Sequence, residues 1–190
     1  MARLLTAIAI SVGLLIGPAA FAQMNQPNPA GGRGTTTAPL DLLGQQDRTF
    51  IKEVIGGGMA EVELSKIAEK SENAEVKRFA ERMIHDHTTA NTELTAIATG
   101  LGVEMPKALD TDHQRVRGQL QSMHGNAFDR EYMRVMVEDH DQAVKLFRQE
   151  TSVGHDSQLK QFAQKTLPTI EEHQKMALDL SRRLSETAAR

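Results

Sequence analysis

Apolar residues recur along most of this chain at the three- and four-residue spacing of amphipathic helices. The clearest stripe lies over about 127–151 and consists of Met133, Met136, Val137, His140, Ala143, Val144 and Phe147. Charged residues fall largely on the other faces, so the stripe predicts a long helix packed against a core. It also places the imidazole of His140 among apolar side chains, where the ring needs a hydrogen-bonding partner or a ligand.

The same periodicity predicts three further long helices. The first covers about 47–70, and the second covers about 73–100 and opens with an asparagine that can cap it. The fourth covers about 157–185 and should kink or break at Pro168, because proline lacks the N–H that its helix needs. The run Gly56–Gly58 costs ~1 kcal/mol per glycine relative to alanine, which predicts either a break in the first helix or close approach of a neighbouring helix.

The order of these helices predicts the fold. A long connection, 101–125, separates two helical hairpins and should hold a short helix near 110–123. Residues 73–82 match 156–165 in residue character, and both segments open the second helix of a hairpin. We therefore expect an all-α domain over 44–187, a ferritin-like antiparallel four-helix bundle with a helix-containing crossover between helices two and three.

The N-terminal sequence predicts export. Arg3 is followed by an apolar run and by the small-residue site Ala20–Ala22, so residues 1–22 are predicted to be a signal peptide cleaved after Ala22. The run is too short to span a bilayer by itself. Residues 23–43 are rich in Pro, Gly, Asn and Thr and are predicted to form a flexible leader. The mature chain is thus expected in a bacterial periplasm, without a transmembrane segment.

Composition narrows the function. The chain has 22 Lys and Arg against 25 Asp and Glu, a net charge of −3, with both signs mixed along it. This balance argues against binding to nucleic acid or to an anionic membrane surface. There is no cysteine, so thiolate ligands and disulfides are excluded. An envelope protein partner or a homo-oligomer remains open.

One polar residue is predicted to face inward near the middle of each long helix. These residues are Glu61, His87, His140 and His173. Three imidazoles and a carboxylate match a metal site that takes one ligand per helix, with zinc, copper or iron as the candidate ion. The alternative is four core residues, each satisfied by a carboxylate or a carbonyl. Counted from the turns, the inward residues within each hairpin are offset by ~7 Å along the axis, which the glycine run or a kink at Pro168 could absorb.

Three further residues are candidates for orienting the imidazoles. Asp86 and Asp129 could each accept a hydrogen bond from a histidine on a neighbouring helix, and the hydroxyl of Tyr132 could reach the same cluster. A catalytic di-iron centre is not predicted, because the chain lacks the Glu-x-x-His pairs that it requires. No serine lies in a nucleophile-elbow motif either. Enzymatic activity is therefore left open and not expected.

Several motifs together resemble a known bacterial family. They are Gly58–Leu64, Ala80–His87, Phe128–Tyr132, His140, and Leu167–Pro168 with His173. Over about 46–183 the chain resembles the family called domain of unknown function 4142, whose members are secreted, are grouped with ferritin-like proteins and are often labelled outer membrane proteins. The resemblance implies the fold and the export of the chain, and it implies no activity.

Two functions follow as hypotheses. In the first, an exported bundle binds a transition metal for storage, sensing or sequestration. In the second, a metal-free envelope or stress-related protein uses the histidine cluster as a structural or pH-responsive element, and its outer faces bind partners. A redox enzyme, the third possibility, would also require an open coordination position on iron or copper.

Overall fold

The computed structural model describes residues 43–188, and over this range the chain is all-helical, with five helices and no strands. They are α1 (Gln45–Ala68), α2 (Ala74–Gly100), α3 (Thr111–Ser122), α4 (Gly125–Val153) and α5 (Ser157–Ala188). The predicted signal peptide and nearly all of the predicted leader lie outside the described residues. None of the described helices is both long and apolar enough to cross a membrane.

The four long helices pack in pairs, and side-chain contacts show their directions. α1 packs on α2 and on α4, and α5 packs on α4 and on α2. Helix α1 contacts α4 through Gln46–Glu150 near one end and Ser65–Tyr132 near the other. Helix α2 contacts α5 through Glu75–Arg183 near one end and Glu93–Lys165 near the other. Each pair is therefore antiparallel. The connection between α2 and α4 carries α3, which packs on α1 and α4.

The apolar core is divided into two clusters. Their aromatic rings are Phe79, Phe128 and Tyr132 in the first and Phe50, Phe147 and Phe162 in the second. Along every long helix, one buried polar residue lies between the positions that contribute to the two clusters. These are Glu61, His87, His140 and His173. The helices thus place a polar layer between two apolar ones.

Helix α1 continues through the glycine run, so the predicted break is wrong and the close approach is confirmed. A Cβ atom on Gly58 would lie 2.4 Å from Oδ1 of Asn91 on α2, which leaves no room for a side chain. At Gly57, in contrast, a Cβ atom would meet nothing within 4 Å. Packing against α2 thus offsets the poor helix propensity of Gly58, while Gly57 borders open space.

The other helix ends follow local chemistry. Asn73 caps α2 as predicted, accepting hydrogen bonds from the backbone N–H groups of Glu75 and Val76 at 2.9 and 3.3 Å. α4 begins at Gly125, whose φ of 58° favours glycine. α5 runs through Pro168, so of the predicted kink or break the break does not occur, and the kink stays a prediction. The packed apolar face of α5 offsets the lost hydrogen bond.

Candidate metal centre

Three buried imidazoles meet in the polar layer. His87 comes from α2, His140 from α4 and His173 from α5, and one possible ligand nitrogen of each lies within 4.8 Å of the other two. The ring centroids are 5.3–5.5 Å apart. The exposed fractions of the three residues are 5%, 0% and 0%. The three histidines predicted from helical spacing therefore form one cluster that could hold a metal ion.

A single carboxylate from α1 contacts two of the rings. Oε2 of Glu61 is 2.8 Å from Nδ1 of His87, and Oε1 is 3.3 Å from Nδ1 of His140. The backbone carbonyl of Met136 is 2.8 Å from the same nitrogen of His140 and can accept its hydrogen. These contacts hold both rings by the Nδ1 edge. They place Glu61 behind the rings, on the side away from each Nε2.

Asp86 contacts the third ring. Its Oδ2 lies 2.9 Å from Nε2 of His173 and 3.2 Å from Nε of Arg82, and its Oδ1 lies 2.8 Å from Nδ1 of His85. His85 itself is exposed to solvent. Asp86 thus connects the buried ring of His173 to charged groups at the surface. Asp86 is one of the residues predicted to orient an imidazole of a neighbouring helix.

The second nitrogen of each ring has no partner. Nε2 of His87, Nε2 of His140 and Nδ1 of His173 are buried and make no hydrogen bond within the described part of the chain. Nδ1 of His140 faces a carbonyl, which only accepts, so in the neutral ring that nitrogen carries the hydrogen and Nε2 carries the lone pair. Where Glu61 and Asp86 accept from the other two rings in the same way, the unpartnered nitrogens also carry lone pairs. Buried polar atoms rarely stay unsatisfied, and three in one place indicate a missing ligand.

The charges in the layer are strongly coupled. Burial raises the pKa of Glu61, but the positive field of His87 and His140 outweighs burial and holds the pKa at about 2. Burial lowers the pKa of His87, and the carboxylate of Glu61 reverses this to a net increase. For His173, burial and the neighbouring His87 lower the pKa to about 4. The ring of His173 is therefore neutral at pH 7, as a metal ligand must be.

Two predicted orienting residues lie in other hydrogen bonds. Oδ1 of Asp129 is 2.6 Å from the hydroxyl of Ser71, near the α1–α2 turn. The hydroxyl of Tyr132 is 2.8 Å from the hydroxyl of Ser65. Both Asp129 and Tyr132 are buried, and these bonds link α4 to α1 and to the turn after it. Their contacts stabilise the bundle beside the polar layer.

A cavity next to the site is the feature that sequence reasoning missed. It measures about 270 Å³ and lies between α1, α2, α4 and the connection that carries α3. Glu61 and His87 line its buried part, and exposed Lys52 and Glu53 line its outer part. Oδ2 of Asp139 also lines it and is buried without a hydrogen-bond partner. The only sequence signal for this space was the glycine run, all of which lines the cavity.

Comparisons with known proteins agree with the fold. A family model described as Domain of unknown function (DUF4142) matches residues 33–180. A DUF305 fragment from Deinococcus radiodurans has a similar crystal structure, with a TM-score of 0.65 and 14% identity, over 74% of this chain and 98% of that one. A DUF305 protein from Streptomyces coelicolor, described as a candidate secreted protein, gives 0.63 and 16%, over 74% and 93%. No curated protein matches the chain.

Proposed function

Because the chain belongs to the DUF4142 family, whose description names no activity, we propose its function from the site: it is an exported protein that binds one transition-metal ion. The ligands are His87, His140 and His173, and Glu61 orients two of their rings. The observation that carries this proposal is one cluster of three buried imidazoles, each of which has a buried nitrogen without a hydrogen-bond partner in the described residues. A bound cation satisfies all three at once, which no other single partner in the described residues does.

The donor set limits the ion. Three neutral imidazoles suit zinc, copper or iron, and they disfavour magnesium or calcium, which prefer oxygen ligands. In a tetrahedral zinc site with Zn–N bonds of about 2.0–2.1 Å, the ligand nitrogens lie about 3.3 Å apart. One possible ligand nitrogen of each ring lies within 4.8 Å of the other two, so side-chain movements of about an ångström would bring these nitrogens to that spacing around a bound ion. Rings held only at their far edges can make such movements.

The helix directions support a ferritin-like bundle as the scaffold. α1 is antiparallel to α4, α2 is antiparallel to α5, and a long connection with its own helix joins α2 to α4. This is the arrangement expected of ferritin-like folds with one long crossover. Export to the periplasm is supported by the sequence of residues 1–22 and by the likeness to a DUF305 protein described as a candidate secreted protein.

Storage, sensing or sequestration fits the site better than turnover. The three ligand residues are at least 95% buried, which limits access of a substrate to a bound ion. The carboxylates of Glu61 and Asp86 contact ring nitrogens other than the unpartnered ones. The competing function, a metal-free pH-responsive cluster, is favoured by one observation: Glu61 raises the pKa of His87, which favours the protonated form of that ring. That arrangement leaves the unpartnered nitrogens unexplained.

Zinc titration of the metal-stripped, tag-free chain against a chromophoric chelator separates the two functions. The wild type should bind one equivalent, and His140→Ala should lose at least about 100-fold in affinity, because one of three ligands is gone. His124→Ala is the matched control, since His124 is exposed at the start of α4. Its affinity should equal that of the wild type. Equal affinity in all three chains would reject the metal site and leave the pH-responsive cluster.

A further inference from the structure

The three-histidine cluster is nearly closed to solvent. His140 and His173 are fully buried, and only His87 keeps any exposure. His87 is also the one imidazole of the three that lines the cavity beside α1. An ion that reaches the cluster without unfolding the bundle has to pass between packed helices, and the cavity is a space beside the cluster that extends from exposed residues to His87.

Glycine forms one wall of this cavity. Gly56, Gly57 and Gly58 all line it, within a continuous helix where each glycine costs ~1 kcal/mol relative to alanine. Close packing against Asn91 explains Gly58, but it does not explain Gly57, where a side chain would meet nothing within 4 Å. A side chain on Gly57 would extend into this open space. The absence of one keeps the space between the surface and His87 free.

The lining of the cavity favours a cation. Four carboxylates line it: Glu53 and Asp110 are exposed, Asp139 is partly buried and Glu61 is buried. The opposing groups in the lining are Lys52, His113 and His87. The carboxylate of Asp139 raises the pKa of His113 to about 9, and Glu61 raises the pKa of His87, so four carboxylates face three basic groups. The balance is negative. Carboxylates along a low-dielectric cleft concentrate cations and speed their association.

We propose that this cavity is the route by which a hydrated divalent cation enters and leaves the three-histidine cluster, with Gly57 keeping the route open and Asp139 attracting the ion. The inference rests on the proposed function, since it assumes that the cluster binds metal. It concerns the rate of exchange and not the affinity, because neither Gly57 nor Asp139 is a proposed ligand.

Co(II) loading, followed by visible absorption, and its removal by EDTA test the route. Gly57→Leu fills the open space, so loading and removal should both slow by about tenfold or more, while the equilibrium affinity stays within about threefold. Gly118→Leu is the matched control: Gly118 is exposed in α3, its added Cβ atom would also meet nothing, and it does not line the cavity. Its rates should equal those of the wild type.

A second variant tests the route without adding a bulky side chain that could disturb helix packing. In Asp139→Asn the shape is retained and one charge is removed, so loading should slow by about threefold at low salt and the difference should shrink at high salt. Unchanged rates in both Gly57→Leu and Asp139→Asn would overturn the route. If instead the wild type bound no Co(II), or if His140→Ala bound it equally well, the proposed function itself would fail.

Discussion

Glu61 offers the sharpest test of how the site is built. Its carboxylate contacts Nδ1 of His87 at 2.8 Å and Nδ1 of His140 at 3.3 Å, so one side chain orients two of three proposed ligands. The substitution Glu61→Gln keeps the size and shape of the buried side chain and removes its charge. The amide oxygen can still accept from one ring, but the amide nitrogen cannot accept from the other.

The size of the effect follows from these contacts. Removing a residue that hydrogen-bonds a metal-bound histidine typically costs 10–100-fold in affinity, about 1.4–2.7 kcal/mol. Glu61→Gln loses one of two contacts and the charge that increases the basicity of both rings. We therefore expect a loss near the upper end, about 100-fold. Asp86→Asn, which affects only the ring of His173, should lose about tenfold.

The assay is zinc competition against a chelator of known affinity, at pH 7 and on metal-stripped protein. Glu63→Gln is the matched control, because Glu63 lies two residues away, is partly exposed and pairs with Lys66. Its affinity should be unchanged. Far-ultraviolet circular dichroism and the urea midpoint should confirm that each variant is folded before affinities are compared.

Two results would refute this reasoning. An affinity of Glu61→Gln within about twofold of the wild type would show that the carboxylate does not orient the ligands. A complete loss of binding, together with a carboxylate oxygen in the zinc coordination shell of the wild type, would show that Glu61 is itself a ligand. That role, a fourth ligand beside the three histidines, is the one predicted for Glu61 from helical spacing.

Three further predictions concern stability. Glu150 is fully buried near Asp47, and burial raises its pKa from 4.5 to about 7. The stability that the protonated side chain contributes is full below pH 4.5 and is lost as the pH rises through about 7. Glu150→Gln should therefore flatten the pH dependence of the free energy of unfolding in urea between pH 5 and 8 by about 2–3 kcal/mol. Gly58→Ala should destabilise the chain by about 1 kcal/mol, and adding Asn91→Ala should recover that loss in the same urea assay. Asn73→Ala should lower the thermal midpoint through a loss of about 1 kcal/mol, whereas an unchanged midpoint would show that this cap does not stabilise α2.

Helical periodicity was enough to predict the long helices and the inward histidines. The apolar stripe of α4 places His140 on the buried face in any helix of that register, whatever the rest of the fold does. Helices α1 and α5 run without a break through Gly56–Gly58 and Pro168, because propensity is a weak preference that tertiary packing overrides. The close fit of Gly58 on Asn91 is such a packing contact.

The depth of the polar layer and its partners could not be predicted in this way. Counting residues from the turns gave Glu61 and His87 an offset of ~7 Å, yet their side chains lie 2.8 Å apart. The shift between neighbouring helices depends on how side chains interdigitate, which turn length does not determine. The partners of the rings, such as the carbonyl of Met136, depend on rotamers and are equally absent from the pattern.

X-ray absorption at the zinc edge, on wild-type protein loaded with one equivalent, tests the central claim most directly. Our account predicts a first shell with three imidazole nitrogens at about 2.0–2.1 Å and the outer-shell scattering of histidine rings. A shell of oxygens alone, or one with fewer than two imidazoles, would place the ion outside the three-histidine cluster and contradict the account.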